Sequence, residues 1–152
     1  LIPRPETEEL AEKAIATVNS ILGSVTTTDS VLASDCSLKT VNVLDLCTGS
    51  GAIAIALAKK TAAKVTATDI SAAAVEVAKA NALTAGVAVT FEVGDLFGAV
   101  GKEKFDVIVS NPPYIKTADI AGLDKKVKDF EPMLALDGGS DGLDFYKRIA
   151  SE

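Results

Sequence analysis

Short apolar runs that alternate with helical patterns constrain the fold of this chain more than any other sequence feature. A β-branched apolar run over residues 41–46 leads through a glycine-bearing turn into a helical pattern, and the same order then repeats. Strands are predicted over residues 41–46, 64–68, 87–93 and 105–110, and helices over residues 52–60 and 72–85. Near-continuous apolar strands that alternate with helices predict an α/β fold, with an open, mostly parallel sheet and helices on both faces.

The segments that flank this core have weaker patterns. An apolar stripe predicts a helix over residues 7–22, with Thr7 as its cap and Gly23 at its end. Residues 24–40 are rich in Ser, Thr and Asp without periodicity, which predicts a surface connection. Later segments predict, in order, one or two helical turns over residues 118–128, a loop over residues 137–142 and a helix over residues 143–150.

The composition excludes several classes of function. The chain has no His, which excludes Ser-His-Asp hydrolysis, a histidine general base and His-ligated zinc, and we predict no metal site. Its 2 Cys lack C-x-x-C spacing and favour a reduced, cytoplasmic protein. The formal net charge is −6, whereas proteins that bind nucleic-acid phosphates usually carry the opposite sign.

The length of 152 residues predicts a single domain. No apolar stretch approaches the ~20 residues that a membrane helix needs, so we expect no membrane partner. Because the chain starts at Leu1 rather than Met and stops at Glu152 in or just after a predicted helix, we expect it to be a fragment.

The turn after the first predicted strand is a candidate cofactor site. Gly49 and Gly51 let the backbone turn sharply and let a ligand approach closely, and the next helix offers a positive N-terminus. Asp69, at the end of the second predicted strand, suits a carboxylate that binds both hydroxyls of a ribose. The glycine spacing also matches a dinucleotide fingerprint, but Asp45 would oppose a pyrophosphate, and a sulfonium cofactor tolerates that charge better. The simpler alternative is a turn that only packs helix on strand.

Asp95 and Leu96 follow the third predicted strand, at the edge where open α/β sheets bind ligands. Asp95 would accept a hydrogen bond from an exocyclic purine amine, and Leu96 would donate its backbone N–H. The alternative is a simple β-turn. Since no His is present to activate a thiol, we expect Cys47 to be a small, buried packing residue and Cys36 to have no catalytic role.

The segment directly after the fourth predicted strand is the most specific motif. It consists of Asn111, Pro112, Pro113 and Tyr114. The prolines fix the backbone, so that the Asn111 side-chain carbonyl and the Pro112 backbone carbonyl would accept both hydrogens of one planar NH₂ group. Because the lone pair of an amide nitrogen is delocalised, two such acceptors would make it more nucleophilic and orient it, while Tyr114 stacks on it. The alternative is a Pro-Pro turn with an anchoring Tyr.

Taken together, these motifs resemble the Rossmann-like S-adenosylmethionine-dependent methyltransferases, and within them the release factor glutamine methyltransferases. The resemblance covers essentially the whole chain, through residues 1–8, 45–54, 111–115, 130–136 and 141–146. It implies transfer of a methyl group from S-adenosylmethionine to the side-chain amide nitrogen (N5) of the glutamine in the Gly-Gly-Gln motif of peptide-chain release factors. Members of that family also carry a helical substrate domain ahead of this segment and further strands after it, neither of which is in this sequence.

The resemblance also implies a role for each motif. The loop at the methionine end of the cofactor would consist of Cys47, Thr48, Gly49, Ser50 and Gly51. Asp69 would bind the ribose, Asp95 and Leu96 would lie beside the adenine, and residues 4–7 would lie close to the cofactor pocket. The glutamine amide would be held by Asn111, Pro112, Pro113 and Tyr114, with catalytic roles for Asn111, Pro112 and Tyr114 and with Asn111 also near the methyl donor.

Three other functions stay open at this point. DNA adenine-N6 and cytosine-N4 methyltransferases share the N-P-P-Y signature, but the acidic balance argues against DNA, and no module that would flip a base is visible. The basic cluster of Lys125, Lys126 and Lys128 is expected to be a solvated face. An NAD-dependent oxidoreductase would share the glycine turn and Asp69 but would leave the N-P-P-Y segment without a role. The third is an inactive module that binds the cofactor.

Overall fold

The short apolar runs of the sequence pair into one parallel sheet in the computed structural model, which describes residues 5–28, 40–124, 127 and 131–152. The strands are β1 (Asn42–Leu46), β2 (Lys64–Asp69), β3 (Thr90–Val93) and β4 (Val107–Ser110). The helices are α1 (Pro5–Thr28), α2 (Ala52–Lys60), α3 (Ala72–Ala85) and α4 (Asp144–Ser151). The chain divides into two compact units, Leu1–Ser110 and Asn111–Glu152. The first contains the sheet with α1 to α3, and the second contains α4 and the 3-10 turns Thr117–Gly122 and Met133–Ala135.

The parallel sheet predicted from the sequence is confirmed, with the strand order β3-β2-β1-β4. β1 pairs in parallel with β2 on one side and with β4 on the other, and β2 pairs in parallel with β3. Because all of these pairings are parallel, the carboxyl ends of the strands lie at one edge of the sheet. The turns that follow Leu46, Asp69 and Val93 therefore begin side by side, at the edge where open α/β sheets bind ligands.

Small and aliphatic side chains join the helices to the sheet. α1 packs on α2 and β4, α2 packs on β1 and β2, and α3 packs on β2 and β3. The buried cluster consists of Ala11, Ala14, Val18, Val41, Val43, Ile53, Ala54, Leu57, Val65, Ala67 and Val109. Burying one of the larger aliphatic side chains of this cluster stabilises the fold by about 1.5–3 kcal/mol.

Helices α2 and α3 have the predicted bounds, because local signals fix their ends. The Ser71 hydroxyl accepts a hydrogen bond from the N–H of Ala74 at 3.2 Å and caps α3. Gly86 ends α3 in the left-handed conformation (φ 68°) and donates its N–H to the Ala82 carbonyl. Helix α2 ends with Lys59 and Lys60, whose charges are favourable at a helix C-terminus.

Helix α1 is longer than predicted at both ends. It begins at Pro5 rather than at Thr7, because a proline is already set for the first helical position. It continues through Gly23 to Thr28, because a single glycine costs a helix only about 1 kcal/mol. The connection predicted over residues 24–40 is therefore wrong for residues 24–28, which are helical. Residues 29–39, with Cys36, lie outside the described residues.

Strands β3 and β4 are shorter than predicted. Val87 donates its N–H to the Ala82 carbonyl at 3.1 Å, so the chain here still completes the end of α3, and β3 starts only at Thr90. The Asp106 carboxylate accepts a hydrogen bond from the N–H of Asn42 at 2.8 Å in place of a backbone carbonyl, and β4 starts one residue later. β2 extends one residue beyond its prediction, to Asp69.

The second unit has the predicted turns and terminal helix with small shifts. The helical turns predicted over residues 118–128 are the 3-10 turn Thr117–Gly122, and Lys125, Lys126 and Lys128 lie outside the described residues. Residues 137–142 form a loop as predicted, and α4 starts at Asp144. Within the described part of the chain, no helix has both the length and the apolar character to cross a membrane.

Candidate cofactor and acceptor sites

The turn between β1 and α2 contains the residues predicted to bind a cofactor, Cys47, Thr48, Gly49, Ser50 and Gly51. Gly49 and Gly51 both have left-handed backbones, with φ of 56° and 82°. A Cβ at Gly51 would lie 3.0 Å from the Cβ of Ala78, so glycine lets the turn approach α3 closely. A Cβ at Gly49 would meet no described atom within 4 Å. The backbone of Gly49 is therefore open to a ligand.

Cys47 and Leu96 have strained backbones. Among the described residues other than glycine, these two have a positive φ, 58° for Cys47 and 46° for Leu96. Such a conformation costs about 1–3 kcal/mol per residue and persists only where the surrounding structure enforces it. Cys47 follows β1 and Leu96 comes shortly after β3, so both strained residues lie at the carboxyl edge of the sheet.

Asp45 is a buried carboxyl group beneath the glycine turn. Its Oδ2 atom accepts hydrogen bonds from the Thr48 hydroxyl at 2.6 Å and from the N–H of Ala54 at 3.2 Å. Its Oδ1 atom is buried and has no hydrogen-bond partner. Burial raises the pKa of Asp45 to about 7, against the hydrogen bonds from Thr48 and Ala54. Asp45 therefore joins the turn to the first residues of α2.

From the sequence, Asp45 is predicted only as a charge that opposes a pyrophosphate. Its hydrogen bonds to Thr48 and Ala54, which hold the turn, are not predicted. The signal that could have found it is an acidic residue inside an otherwise apolar strand run. A carboxyl group at such a position needs hydrogen-bond donors from the neighbouring turn.

Asp69 connects the turns that follow β1 and β2. Its Oδ2 atom accepts a hydrogen bond from the N–H of Gly49 at 2.8 Å, and its Oδ1 atom accepts one from the N–H of Ser71 at 2.9 Å. A carboxylate has about four lone-pair positions, so each oxygen can accept a further donor. The structure thus places the predicted ribose carboxylate directly against the predicted glycine turn.

The thiol of Cys47 lies among three carboxyl groups. Burial, the charge of Asp69 and the smaller contributions of Asp45 and Asp95 raise the pKa of the half-buried Cys47 to about 11, against a hydrogen bond with Ser110. The thiol is therefore uncharged at neutral pH, but Cys47 is half-buried rather than buried as predicted. The same interactions place the predicted adenine residue Asp95 in the electrostatic environment of this turn.

Asp95 and Leu96 lie in a turn closed by a hydrogen bond from the N–H of Gly98 to the Asp95 carbonyl at 3.0 Å, which is the bond of the β-turn considered as an alternative. Asp95 is exposed and precedes the 3-10 turn Leu96–Ala99, whereas the Leu96 side chain is buried. A Cβ at Gly94 would lie 2.8 Å from the Cβ of Ala99, so the backbone folds back on itself. The N–H of Leu96 as a purine contact stays a prediction.

The N-P-P-Y segment begins the second unit, directly after the last residue of β4. Asn111 is half-buried, Pro112 and Pro113 are buried, and the Tyr114 side chain is 42% exposed. Burial and the charge of the Tyr114 phenol raise the pKa of Tyr146 above its usual value. This segment therefore presents the ring of Tyr114 to solvent, on a backbone whose φ angles the two prolines restrict.

Only some of the N-terminal residues predicted to lie near the cofactor are among the described residues. Arg4 is outside the described residues, and Pro5 to Thr7 form the first turn of α1. Their proximity to a cofactor stays a prediction.

Proteins with established names resemble this chain over almost its whole length. It is 43% identical over 150 residues to the release factor glutamine methyltransferase of Geobacter sulfurreducens, a match that covers 98% of this chain and 46% of the relative. It is 44% identical over 156 residues to the release factor glutamine methyltransferase of Bacillus subtilis, covering 100% of this chain and 49% of the relative. The chain thus spans about half the length of these curated relatives.

Solved structures of methyltransferases have the same fold. A ribosomal protein L11 methylase from Lactobacillus delbrueckii subsp. bulgaricus matches with a TM-score of 0.51 and 30% identity, over 71% of this chain and 47% of the other. An RNA methyltransferase from Salinibacter ruber, solved in complex with S-adenosyl-L-homocysteine, matches with a TM-score of 0.51 and 27% identity, over 72% of this chain and 59% of the other.

The family described as Methyltransferase small domain matches residues 23–128. Because this match covers more than half of the chain, the chain belongs to the methyltransferase small domain family.

Proposed function

We propose that this chain is the catalytic part of an enzyme that transfers a methyl group from S-adenosylmethionine to the glutamine amide nitrogen of the Gly-Gly-Gln motif in peptide-chain release factors. The observation that carries the cofactor assignment is the 2.8 Å hydrogen bond between Asp69 and the left-handed Gly49. The acceptor assignment is supported by the N-P-P-Y segment and by the names of relatives that are 43–44% identical over the chain.

The residues of the first unit fit S-adenosylmethionine. The backbone of Gly49 is open, Asp69 keeps lone pairs for ribose hydroxyls, and Asp45 places a carboxyl group beneath the turn. When bound, the cofactor supplies an electrophilic methyl group on a sulfonium. We assign the loop of Cys47, Thr48, Gly49, Ser50 and Gly51 to the methionine end, Asp69 to the ribose, and Asp95 and Leu96 to the adenine.

The same features make NAD a poorer match. A carboxyl group beneath the glycine turn opposes a pyrophosphate, and the pKa of Asp45, raised to about 7, still leaves a partial negative charge at neutral pH. An amino-acid tail with an ammonium group is attracted by that charge.

In the second unit, we assign to the N-P-P-Y segment the binding and orientation of the acceptor. The Asn111 side-chain carbonyl and the Pro112 backbone carbonyl accept the two amide hydrogens, and the exposed ring of Tyr114 packs on the amide plane. These contacts restore electron density to nitrogen and orient it for in-line attack. No protein base is needed, because the methylated amide cation is acidic enough to release its proton to water.

DNA adenine-N6 or cytosine-N4 methylation is the second candidate, because it needs the same planar-amine contacts. The net charge of −6 disfavours a nucleic-acid partner. The proposal places the protein in the cytoplasm, consistent with its 2 Cys and with release factors as its substrates.

The test measures methyl transfer from labelled S-adenosylmethionine to three acceptors: a release factor, the same factor with the Gly-Gly-Gln glutamine changed to alanine, and a DNA duplex. Titration calorimetry with S-adenosylmethionine and with NAD accompanies it. We expect label only in the unmodified release factor, and heat only with S-adenosylmethionine. Label in the DNA would overturn the acceptor assignment, and binding of NAD alone would overturn the cofactor assignment. Cofactor binding with no methyl transfer to any acceptor would indicate an inactive binding module.

A further inference from the structure

The loop of residues 137–142, called the glycine loop below, packs directly on the backbone of the N-P-P-Y segment. A Cβ at Gly138 would lie 2.7 Å from the Cα of Tyr114 and 2.9 Å from the Pro113 carbonyl oxygen. Gly138 is buried, and its φ is not in the left-handed region, so space alone requires glycine here. No other residue type allows the two backbones to approach this closely.

Gly142 makes a second close approach to the same residue. A Cβ at Gly142 would lie 2.5 Å from the Tyr114 carbonyl oxygen, and its φ of 77° is in the left-handed region. Gly139, between them, has a φ of 88°, and its Cβ would overlap the Asp144 carboxylate. Glycines of this loop therefore contact Tyr114 from two positions along the chain.

Hydrogen bonds lock the glycine loop to the residues that follow Tyr114. Ile115 donates its N–H to the Leu136 carbonyl at 3.0 Å, and Gly138 donates its N–H to the Ile115 carbonyl at 2.8 Å. The Thr117 hydroxyl donates to Asp137 Oδ1 at 2.7 Å, and the N–H of Gly139 donates to the same oxygen at 3.0 Å. Thr117 thus holds the carboxylate that shapes the start of the loop.

We propose that the glycine loop is the positioning element of the acceptor site, with Gly138 and Thr117 as positioning residues that act through Tyr114. This inference rests on the proposed function. Tyr114 is 42% exposed, so burial alone does not fix its ring, and a displacement of its backbone moves the ring with it. Displacing a reacting group by about 1 Å can reduce a rate by about 100-fold, so an acceptor amide needs a rigid support.

The main test compares Gly138→Ala with Gly122→Ala in the full chain. Gly122 belongs to the same unit, and a Cβ there would meet no described atom within 4 Å, so it is a matched control. The chain contains 2 Tyr and no Trp. Fluorotyrosine incorporation therefore gives fluorine NMR signals from Tyr114 and Tyr146 alone, which Tyr→Phe variants assign.

We expect Gly138→Ala to shift the Tyr114 signal and to lower kcat by about 100-fold, with a smaller change in KM for the release factor. S-adenosylmethionine affinity should change little, because the loop of residues 47–51, Asp69, Asp95 and Leu96 belong to the first unit. Gly122→Ala should leave the Tyr114 signal and kcat as in the parent chain. An unshifted Tyr114 signal, or an unchanged kcat, in Gly138→Ala would overturn the proposal.

Thr117 provides a second test that does not depend on tolerance of an extra Cβ. Thr117 is exposed, so Thr117→Val removes its hydrogen bond to Asp137 without creating a cavity. We expect Thr117→Val to shift the Tyr114 signal and lower kcat, and Thr117→Ser, which keeps the hydroxyl, to restore both. If Thr117→Val and Thr117→Ser had the same Tyr114 signal and the same kcat, the proposed role of the Thr117 hydroxyl would be overturned. If the parent chain binds S-adenosylmethionine but methylates no release factor, the proposed function fails, and the Tyr114 signals alone then decide whether the loop positions that residue.

Discussion

The carboxylate of Asp69 accepts a hydrogen bond from the N–H of Gly49 at 2.8 Å, which ties the last residue of β2 to the turn that follows β1. The same carboxylate accepts the N–H of Ser71 at 2.9 Å, at the start of α3. One side chain therefore fixes two of the turns at the carboxyl edge of the sheet. In the proposed function it also binds the ribose, so its loss should affect both the turn and the ligand.

Asp69→Ala should weaken S-adenosylmethionine binding by about 1–3 kcal/mol, because ribose hydroxyls lose a charged acceptor. Asp69→Asn keeps one carbonyl oxygen for Gly49 and should lose less affinity. Calorimetric titration of both variants measures the difference. A dissociation constant equal to that of the parent chain in Asp69→Ala would mean that the ribose lies elsewhere.

Asn111→Ala should reduce methyl transfer by about 100-fold or more while leaving S-adenosylmethionine affinity nearly unchanged, because the proposed function assigns its carbonyl to the acceptor amide. Asn111→Asp keeps acceptor oxygens and serves as the matched comparison. Single-turnover transfer and calorimetry separate the two effects. Parallel losses of rate and cofactor affinity would contradict a role confined to the acceptor.

Asp45 should make the fold less stable as the pH rises from about 4 to about 7, because its pKa is raised from 3.8 to about 7 in the folded state. Across this range the folded protein retains a proton that the unfolded chain has released, so raising the pH lowers the free energy of unfolding. The contribution is at most about 4 kcal/mol, is fully present below this range and is lost above it.

Asp45→Asn removes this titration and supplies the test. Urea unfolding of both proteins across this range measures the free energy of unfolding at each pH. The stability difference between them should change with pH, whereas carboxyl groups with lowered pKa, such as Glu9, Asp137 and Asp141, contribute equally to both. A difference that is constant with pH would show that Asp45 titrates normally.

Cys47→Gly and Leu96→Gly relieve the same kind of backbone strain but should change the free energy of unfolding by different amounts. At Cys47, a φ of 58° suits glycine, and the change in the free energy of unfolding should stay below about 1 kcal/mol, because relief of strain offsets the lost side chain. At Leu96 the side chain is 3% exposed, and its loss should cost about 3 kcal/mol or more.

Thermal or urea unfolding ranks these variants. Cys47→Ala separates the thiol from the strain, because alanine keeps a Cβ at positive φ. If Cys47→Gly proved as destabilising as Leu96→Gly, the thiol would contribute far more packing than its half-buried position indicates.

Element bounds that depend on neighbouring residues could be predicted from the sequence. Bounds that depend on contacts with distant segments could not. Ser71 and Gly86 mark the ends of α3 by their own chemistry, so its bounds were predictable. The start of β3 depends on whether Val87 completes α3 or pairs with β2, which no local pattern decides.

The candidate site shows the same division. The glycine turn, Asp69 and the N-P-P-Y segment were visible as motifs, because residue type and strand position together indicate chemistry. The close approach of Gly138 to Tyr114 was not visible in the sequence. A glycine that is needed because a neighbouring backbone leaves no space for a Cβ cannot be distinguished, from sequence alone, from a glycine that is needed for a turn. Asp45 was identified as a charge, but its partners Thr48 and Ala54 emerge only once the turn is folded.

The pairing of β1 with β4 bears on the order in which the chain becomes structured. Asn42 and Asp106 exchange hydrogen bonds across 64 residues of sequence, whereas β1 and β2 are joined through α2 alone. Contacts between distant segments form late in folding, because closing a long loop costs entropy before any contact compensates it. The glycine turn and Asp69 therefore assemble early, on the nascent β1-α2-β2 segment. Asn111 follows β4 directly, so the residues assigned to the acceptor reach their final place only when β4 has docked.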